Sequence, residues 1–331
     1  MTICVPTIGR LATLSSTLAS VQEQSHANCE VLILDNATPP AARAILDQYC
    51  KTDRRARLLS STTRLSMFDN FQRGVDAAQG RYLAFFHDDD VYAVDFVTQH
   101  VRLLESHPAA AFAGANCTVI DGAGRLVSDR GLIRRTEVWP GWRYIREVYT
   151  LGNNVFPMQS VMLRRELLGP KTFDPSRGVH FSDYLLLMRL AESHDVGLID
   201  ARLLQLRTHD DQASRGLPAS EALLLRTRLF EQYANELTAR WPARAAEILK
   251  LRQRVSPARR SAAIWMWLTA TDEEQAGDAR AALKGPGLDG WLGRGMHFAD
   301  RTGISRVIRN GGARRRIRSV AYSLIGRSRH G

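Results

Sequence analysis

The 331-residue sequence contains no long apolar run and no secretion signal. Its longest apolar stretches fall well short of the roughly 18 residues that a membrane-spanning helix requires. The N-terminus lacks the basic segment followed by an apolar segment that is typical of a signal peptide. With 44% hydrophobic and 24% charged residues, a wholly disordered chain is excluded as well. We therefore expect a folded, cytoplasmic protein.

Cysteine is scarce, and its spacing is not that of a metal site. The four cysteines, Cys4, Cys29, Cys50 and Cys117, lie far apart and form no C-x-x-C pair. This spacing argues against the usual zinc sites and redox dithiols. We expect reduced thiols that pack as small hydrophobic side chains.

A basic excess is absent from the first three quarters of the chain. Residues 1–249 carry 28 Lys and Arg against 28 Asp and Glu, whereas residues 250–331 carry 17 against 6. The neutral part argues against nucleic-acid binding, and no interleaving of aromatic and basic residues supports such binding. The basic C-terminal part predicts an anionic partner.

The end of this basic part, residues 313–331, has the pattern of an amphipathic helix. Arginines surround an apolar face whose members recur at i, i+3, i+4, i+7 and i+8: Ile317, Val320, Ala321, Leu324 and Ile325. Such a helix can lie in the headgroup plane of an anionic membrane, which would make the protein peripheral on the inner face of the plasma membrane. The same spacing describes a helix that packs on the rest of the protein, so both interpretations stay open.

Strand and helix patterns alternate through the first part of the chain. This alternation predicts an α/β fold with a mainly parallel central sheet flanked by helices. After residue 215 the pattern becomes almost wholly helical, which predicts domains at 1–215 and 216–331. Strands are predicted at 1–6, 30–34, 57–60, 82–86, 160–163 and 196–199, and helices at 11–24, 41–49, 68–78 and 181–193.

Three adjacent carboxylates, Asp88, Asp89 and Asp90, follow the strand predicted at 82–86. Unpaired neighbouring carboxylates repel one another, so a cation is expected among them. Mg²⁺ and Mn²⁺ prefer oxygen ligands and commonly bridge protein carboxylates to a diphosphate. A solvated turn that caps a helix is the alternative, because Asp is common before helices.

Several short motifs occur in a fixed order over residues 2–214. In this order and spacing the sequence resembles the family 2 glycosyltransferases, which have the nucleotide-binding GT-A fold. The motifs are Pro6-Thr7 followed by Arg10, Asp35-Asn36-Ala37-Thr38, Gln79-Gly80-Arg81-Tyr82, His87-Asp88-Asp89-Asp90, Ser182-Asp183-Tyr184 and Arg207-Thr208-His209.

The resemblance implies an inverting transfer of a hexosyl or deoxyhexosyl group from a nucleotide-diphosphate sugar. The implied acceptor is a hydroxyl of a saccharide or lipid-linked molecule in cell-surface polysaccharide or glycoconjugate synthesis. It further implies that Asp183 is the catalytic base and that Mg²⁺ or Mn²⁺ is bound by Asp89, Asp90 and His209. The implied nucleotide-binding residues are Pro6, Thr7, Arg10, Asp35 and Asp88.

The sequence departs from the family pattern at a few of these positions. His87 opens the acidic run, Ser182 replaces the usual glutamate before the base, and Asn36 stands where a second aspartate is common. Two other functions stay open. A nucleotidyltransferase would share the architecture, although the glycine-poor opening at residues 6–10 argues against it, and a nucleotide-sugar-binding module could keep the fold without the chemistry.

Aromatic residues are concentrated between positions 139 and 159. Aromatic rings at this density could stack on an acceptor sugar, or they could belong to the hydrophobic core. The sequence leaves both interpretations open. The residues are Trp139, Trp142, Tyr144, Tyr149 and Phe156.

Overall fold

The computed structural model describes residues 1–173, 181–209 and 219–252. The chain divides into two compact units. The first comprises Met1–Glu147 and Asn154–Gln212, and the second comprises Val148–Asn153 and Ala213–Gly331. Much of 216–331 lies outside the described residues, so the domain boundary near residue 215 stays a prediction.

The first unit opens with the predicted alternation of strands and helices. Its first four strands form a parallel ladder in the order β3-β2-β1-β4. The observed bounds lie within a few residues of the predicted ones. These elements are β1 (Thr2–Thr7), α1 (Leu14–Gln22), β2 (Glu30–Asn36), α2 (Pro40–Thr52), β3 (Ala56–Ser61), α3 (Met67–Ala77) and β4 (Tyr82–Phe85).

Local sequence accounts for where these helices start. In α2, Pro40 occupies the first turn, where its fixed φ suits a helix and its missing N–H costs nothing. The Ser66 hydroxyl caps α3 by accepting a hydrogen bond from the Asp69 amide. Helix α1 begins three residues later than predicted, because Gly9 has a positive φ of 85° and Arg10 starts a tight turn.

The helices cover both faces of this ladder. Side chains of α1 and α2 pack with Ile3 and Ile33, which alternate along the strands onto one face. On the opposite face, Gly74 of α3 lies so close to Leu34 and Cys4 that an added Cβ would stand 2.8 and 2.9 Å from their side chains. The prediction of helices on both sides of a central sheet is therefore confirmed.

The second half of the unit adds antiparallel strands, so the complete sheet is mixed. Strand β9 runs antiparallel to both β4 and β6, which makes β6 parallel to β4. The carboxyl ends of β1, β2, β4, β6 and β10 therefore lie at one edge of the sheet. The elements are β5 (Val91–Tyr92), α4 (Phe96–Ser106), β6 (Ala110–Ile120), β7 (Leu126–Arg130), β8 (Glu137–Trp139), α5 (Gly141–Leu151), β9 (Val161–Arg164), α6 (Ser182–Ala191) and β10 (Asp195–Arg207).

Strand β10 is much longer than the four residues predicted from the apolar run 196–199. It continues along β6 through register shifts at Ile199/Arg202 and Arg202/Leu204. Such bulges interrupt the alternation of inward and outward side chains. The strand therefore continues beyond the point at which the sequence pattern ends. The extra length brings Arg207 to the same edge of the sheet as the acidic run.

The second unit contains α7 (Ala219–Arg240). Tyr149, at the end of α5, also belongs to this unit. Its hydroxyl donates a hydrogen bond of 2.7 Å to the backbone carbonyl of Phe230. No helix within the described ranges is long and apolar enough to cross a membrane. The amphipathic pattern at 313–331 lies outside the described residues.

The packing expected of the cysteines is found for two of the four, since Cys29 and Cys50 are only half-buried. No disulfide joins the four cysteines, all of which lie in described segments, and Cys4 and Cys117 are buried. Tyr144 and Phe156 are buried too, and their rings stack with centroids 5.7 Å apart. For these two aromatic residues, packing in the core is the interpretation that the structure supports.

The start of α5 gives a stability prediction. A Cβ on Gly141 would lie 1.9 Å from the Ala191 carbonyl oxygen and 2.1 Å from that of His194. Because backbone atoms cannot swing aside, we expect Gly141→Ala to destabilise the protein by at least about 3 kcal/mol in urea unfolding. Gly122→Ala is the control, since nothing lies within 4 Å of its added Cβ. Equal stability of the two variants would contradict this packing.

Candidate active site

The candidate site lies at the edge of the sheet where the parallel strands end. Thr7 ends β1 and is directly opposite Asp35 in the parallel register, and Asp35 is in turn opposite Ser60 of β3. The run His87-Asp88-Asp89-Asp90 follows the neighbouring strand β4. In open α/β sheets this edge is where ligands bind.

Asp88 stabilises the loop that follows β1 through hydrogen bonds and an ion pair. Its Oδ2 accepts hydrogen bonds from the Thr7 hydroxyl at 2.7 Å and the Ile8 amide at 3.2 Å, and its Oδ1 pairs with Arg10 Nη1 at 2.7 Å. Both oxygens of this buried carboxylate are therefore engaged within the protein. A direct contact of Asp88 with a nucleotide stays a prediction, and its observed contacts give it the role of shaping the loop.

Asp89 and Asp90 each have one carboxylate oxygen bonded to a residue of the described part of the chain. Asp89 Oδ2 is 3.0 Å from His209 Nε2, and Asp90 Oδ1 accepts a hydrogen bond of 2.8 Å from the Arg207 amide. Asp90 is fully buried, and its Oδ2 has no hydrogen-bond partner among the described residues. Burial, together with the charge of Asp89, raises the pKa of Asp90 well above its usual value.

His87 belongs to the same cluster, a role that its departure from the family pattern does not predict. One ring nitrogen of His87 and one oxygen each of Asp89 and Asp90 lie within 4.8 Å of one another. Its Nε2 is enclosed and lacks a partner in the part of the chain described. Burial lowers the pKa of His87, which favours a neutral imidazole.

Arg207 holds the acidic run from the opposite side. Its Nε donates to the Asp89 carbonyl at 2.8 Å, and its Nη1 donates to the carbonyls of Asp121 at 3.1 Å and Gly122 at 3.2 Å. The guanidinium thus ties the run to the turn between β6 and β7. No local sequence pattern pointed to this role, because it depends on the unexpected length of β10.

Two threonines of the α1 region fix the backbone of the run. The Thr13 hydroxyl donates to the Asp88 carbonyl at 2.9 Å, and the Thr17 hydroxyl donates to the Asp90 carbonyl at 2.7 Å. Both threonines are buried and lie one helical turn apart. The run is consequently held by backbone contacts, which leave the carboxylates of Asp89 and Asp90 available.

Asp35 forms a separate cluster at the end of β2. Its Oδ1 accepts a hydrogen bond of 3.0 Å from the Thr38 amide across a turn in which Ala37 has a positive φ of 54°. Its Oδ2 pairs with Arg43 Nη1 at 3.2 Å, and the same Nη1 donates to the Ser60 hydroxyl at 3.0 Å. The carboxylate therefore faces a cation that is partly exposed.

Asp183 lies in the first turn of α6, as predicted. The residue is half-buried, and its Oδ1 is enclosed without a hydrogen-bond partner among described residues. Burial raises the pKa of Asp183 to about 7, although backbone N–H groups at the helix start offset part of the rise. Its charge also raises the pKa of the buried Tyr144 hydroxyl nearby.

The predicted residues fall into three groups. Thr7 and Arg10 are each bonded to Asp88, and Asp89 contacts His209. Asp35 belongs to the second cluster and Pro6 lies beside it in β1, opposite Leu34. No hydrogen bond or ion pair within the described segments joins Asp183 to the acidic run.

Comparison with known proteins supplies the family. The model of the protein family described as "Glycosyl transferase family 2" matches residues 2–169, which are half of the chain. The chain belongs to this family. The match covers β1 through β9 and includes every predicted site residue except Asp183 and His209. The resemblance inferred from the motifs is thereby confirmed.

Two curated relatives illustrate the similarity of this family 2 member. It is 28% identical to TuaG of Bacillus subtilis, a glycosyltransferase assigned to teichuronic acid biosynthesis, over 123 residues, which are 37% of this chain and 49% of TuaG. It is 20% identical over 214 residues to the Escherichia coli UDP-Glc:alpha-D-GlcNAc-diphosphoundecaprenol beta-1,3-glucosyltransferase WfgD, covering 65% and 78% of the two chains. The chain spans about half the length of TuaG.

Solved structures confirm the GT-A type of fold for this family 2 protein. S. aureus TarS (residues 1–349) in complex with UDP-GlcNAc superposes with a TM-score of 0.65 at 14% identity, covering 85% of this chain and 79% of that one. The mannosyltransferase PcManGT from Pyrobaculum calidifontis, in complex with GDP-Man and Mn²⁺, gives 0.56 at 16% identity, covering 98% and 84%.

Asp90 gives a prediction for the protein without added metal. Replacing this buried carboxylate by Asn keeps an acceptor for the Arg207 amide and removes the repulsion with Asp89. We therefore expect Asp90→Asn to raise the free energy of unfolding by about 1 to 2 kcal/mol in chelator. Asp76→Asn, at an exposed position of α3, should change it by less than about 0.5 kcal/mol. A destabilised Asp90→Asn protein would contradict the repulsion.

Proposed function

We propose that this family 2 protein is an inverting, metal-dependent glycosyltransferase. It transfers a hexosyl or deoxyhexosyl group from a nucleotide-diphosphate sugar to a hydroxyl of a saccharide or lipid-linked acceptor. The observation that carries the proposal is the buried Asp90 oxygen without a partner among the described residues, grouped with Asp89 and His87 at the sheet edge. A buried carboxylate left in this state is stabilised by a cation.

The nucleoside would bind along the ends of β1 and β2. Thr7 of β1 and Asp35 of β2 are directly opposite each other there, and Pro6 precedes Thr7 in β1. Asp35 would accept a hydrogen bond from the base or ribose, with Arg43 fixing the orientation of its carboxylate. Arg10, held by Asp88, would place a positive charge near the phosphates.

The residues present fit a divalent cation. Asp89 and Asp90 would hold it with their carboxylate oxygens, and His209, already in contact with Asp89, would support it. When bound, Mg²⁺ or Mn²⁺ would neutralise the diphosphate and stabilise it as a leaving group. Arg207 and the two threonines would keep the acidic run in place during the reaction.

Asp183 would act as the general base. With its pKa raised to about 7, the carboxylate can take a proton from an acceptor hydroxyl near neutral pH. The attack of that hydroxyl oxygen on the anomeric carbon, from the face opposite the diphosphate, forms the new glycosidic bond as the bond to the diphosphate breaks. One displacement inverts the anomeric configuration.

The acceptor class follows from the relatives and remains part of the proposal. The name of WfgD contains an acceptor sugar linked to diphosphoundecaprenol, and that of TuaG refers to teichuronic acid biosynthesis. A role in cell-surface polysaccharide or glycoconjugate synthesis would bring this protein to the inner face of the plasma membrane. The basic segment 313–331 is the proposed contact with anionic lipid.

Donor binding should require the metal. We expect isothermal titration calorimetry to show UDP or GDP binding in Mn²⁺ and at least about tenfold weaker binding in chelator, because the diphosphate charge is then uncompensated. Asp89→Ala should abolish the Mn²⁺ dependence, whereas the exposed Asp76→Ala should retain it. Equal affinity in chelator and in Mn²⁺ would exclude the metal role.

Asp183→Asn should reduce turnover by at least about 10²-fold with little change in donor affinity, because it keeps the shape and removes the proton acceptor. In the wild type, kcat/KM should rise with pH through about 7, since the base works only when ionised. Asp195→Asn, at the start of β10 and thus at the opposite sheet edge, is the matched control. A product with retained anomeric configuration by NMR would exclude the single displacement.

A further inference from the structure

We propose that His87 is a nitrogen ligand of the bound cation, and that it makes the site prefer Mn²⁺ to Mg²⁺. The inference rests on the proposed metal dependence and concerns which ion is used. The ligand set would be one imidazole nitrogen and the carboxylates of Asp89 and Asp90, completed by donor phosphate oxygens.

The positions of these atoms support a shared ion. The three candidate ligand atoms already lie within 4.8 Å of one another. Two ligands of one octahedral ion with bonds of about 2.1 Å are up to about 4.2 Å apart, so a small side-chain adjustment would close the site. The enclosed atoms His87 Nε2 and Asp90 Oδ2 are both without hydrogen-bond partners in the described ranges.

The surroundings of His87 hold the residue at this place. Its backbone amide donates to the Tyr92 hydroxyl at 2.9 Å, and its ring meets the ring of Phe71 edge-on with centroids 5.5 Å apart. These contacts use the backbone and the ring carbons. They hold the residue in place and leave Nε2 without a hydrogen-bond partner in the described part of the chain.

The neighbouring ligand atoms are arranged in the same way. The Arg207 amide occupies Asp90 Oδ1, whereas Asp90 Oδ2 has no hydrogen-bond partner among the described residues. His209 is bonded to Asp89, but no nitrogen of His209 belongs to the group of atoms within 4.8 Å. His87 is therefore the better placed of the two histidines to bind the ion directly.

The chemical type of the ligand atoms determines which metal ion binds more tightly. Mg²⁺ is a hard cation that prefers oxygen ligands, and an imidazole nitrogen is a poor substitute for a carboxylate in its shell. Mn²⁺ also binds oxygen ligands, but as a first-row transition-metal ion it forms complexes with nitrogen ligands as well. Replacing an oxygen ligand by the His87 nitrogen should therefore lower the affinity of the site for Mg²⁺ more than its affinity for Mn²⁺.

The selectivity can be measured on the full-length protein with Mn²⁺ and UDP or GDP. Electron paramagnetic resonance gives the free Mn²⁺ concentration, and competition with Mg²⁺ gives the ratio of the two affinities. We expect His87→Asp, which supplies an all-oxygen set, to lower the Mn²⁺ to Mg²⁺ affinity ratio at least about tenfold. His107→Asp introduces the same charge at an exposed histidine and should leave the ratio unchanged.

Pulsed electron paramagnetic resonance identifies the ligand itself. The bound Mn²⁺ should show ¹⁴N modulation in the wild type and in His209→Ala, and should lose it in His87→Asn. Loss in His209→Ala with retention in His87→Asn would overturn the proposal in favour of His209.

Oxygen-only coordination of a tightly bound Mn²⁺ would overturn the His87 role and leave the proposed function intact, whereas absence of Mn²⁺ binding would overturn the metal dependence as well. Circular dichroism confirms that each variant is folded, and His87→Asn avoids the added charge of His87→Asp.

Discussion

The mutual repulsion of three consecutive carboxylates at the end of β4 is the constraint on which the site depends. Asp88, Asp89 and Asp90 are all buried, where like charges interact strongly and water cannot screen them. The protein relieves only part of this repulsion. Arg10 pairs with Asp88, and the side chain of Arg207 donates to the carbonyl oxygens of Asp89 and Asp121, yet the pKa of Asp90 stays raised by burial and by the charge of Asp89.

The carboxylate charges of the acidic run are compensated to different degrees. Its members therefore differ in whether their contacts stabilise the structure or leave an oxygen for a ligand. Asp88 has every oxygen engaged and shapes the β1 loop, which in turn orders Thr7 and Arg10. Asp90 has a buried oxygen without a hydrogen-bond partner in the described part of the chain, and such an oxygen costs stability. Under the proposed function, binding of a cation would recover this stability and so link folding of the site to metal binding.

A second carboxylate, Asp183, is tuned by a different physical effect. It stands outside the acidic run, and enclosure rather than a neighbouring carboxylate raises its pKa. Two sets of carboxylates in one unit thus have different properties, one suited to a cation and the other to a proton. This division is what a metal-assisted displacement by an acceptor hydroxyl requires.

The sequence by itself determined the α/β class, the family and the position of the acidic run at a strand end. These depend on local periodicity and on short motifs such as His87-Asp88-Asp89-Asp90, which are visible without the fold. Only the tertiary structure decided which oxygens are engaged and that His87 joins Asp89 and Asp90. The contacts responsible cross large distances in the chain: Arg207 bonds to Asp90 from 117 residues away, along a strand whose bulges interrupt the alternating pattern. Sequence patterns report local conformation, whereas the state of a buried carboxylate depends on every group that the fold brings against it.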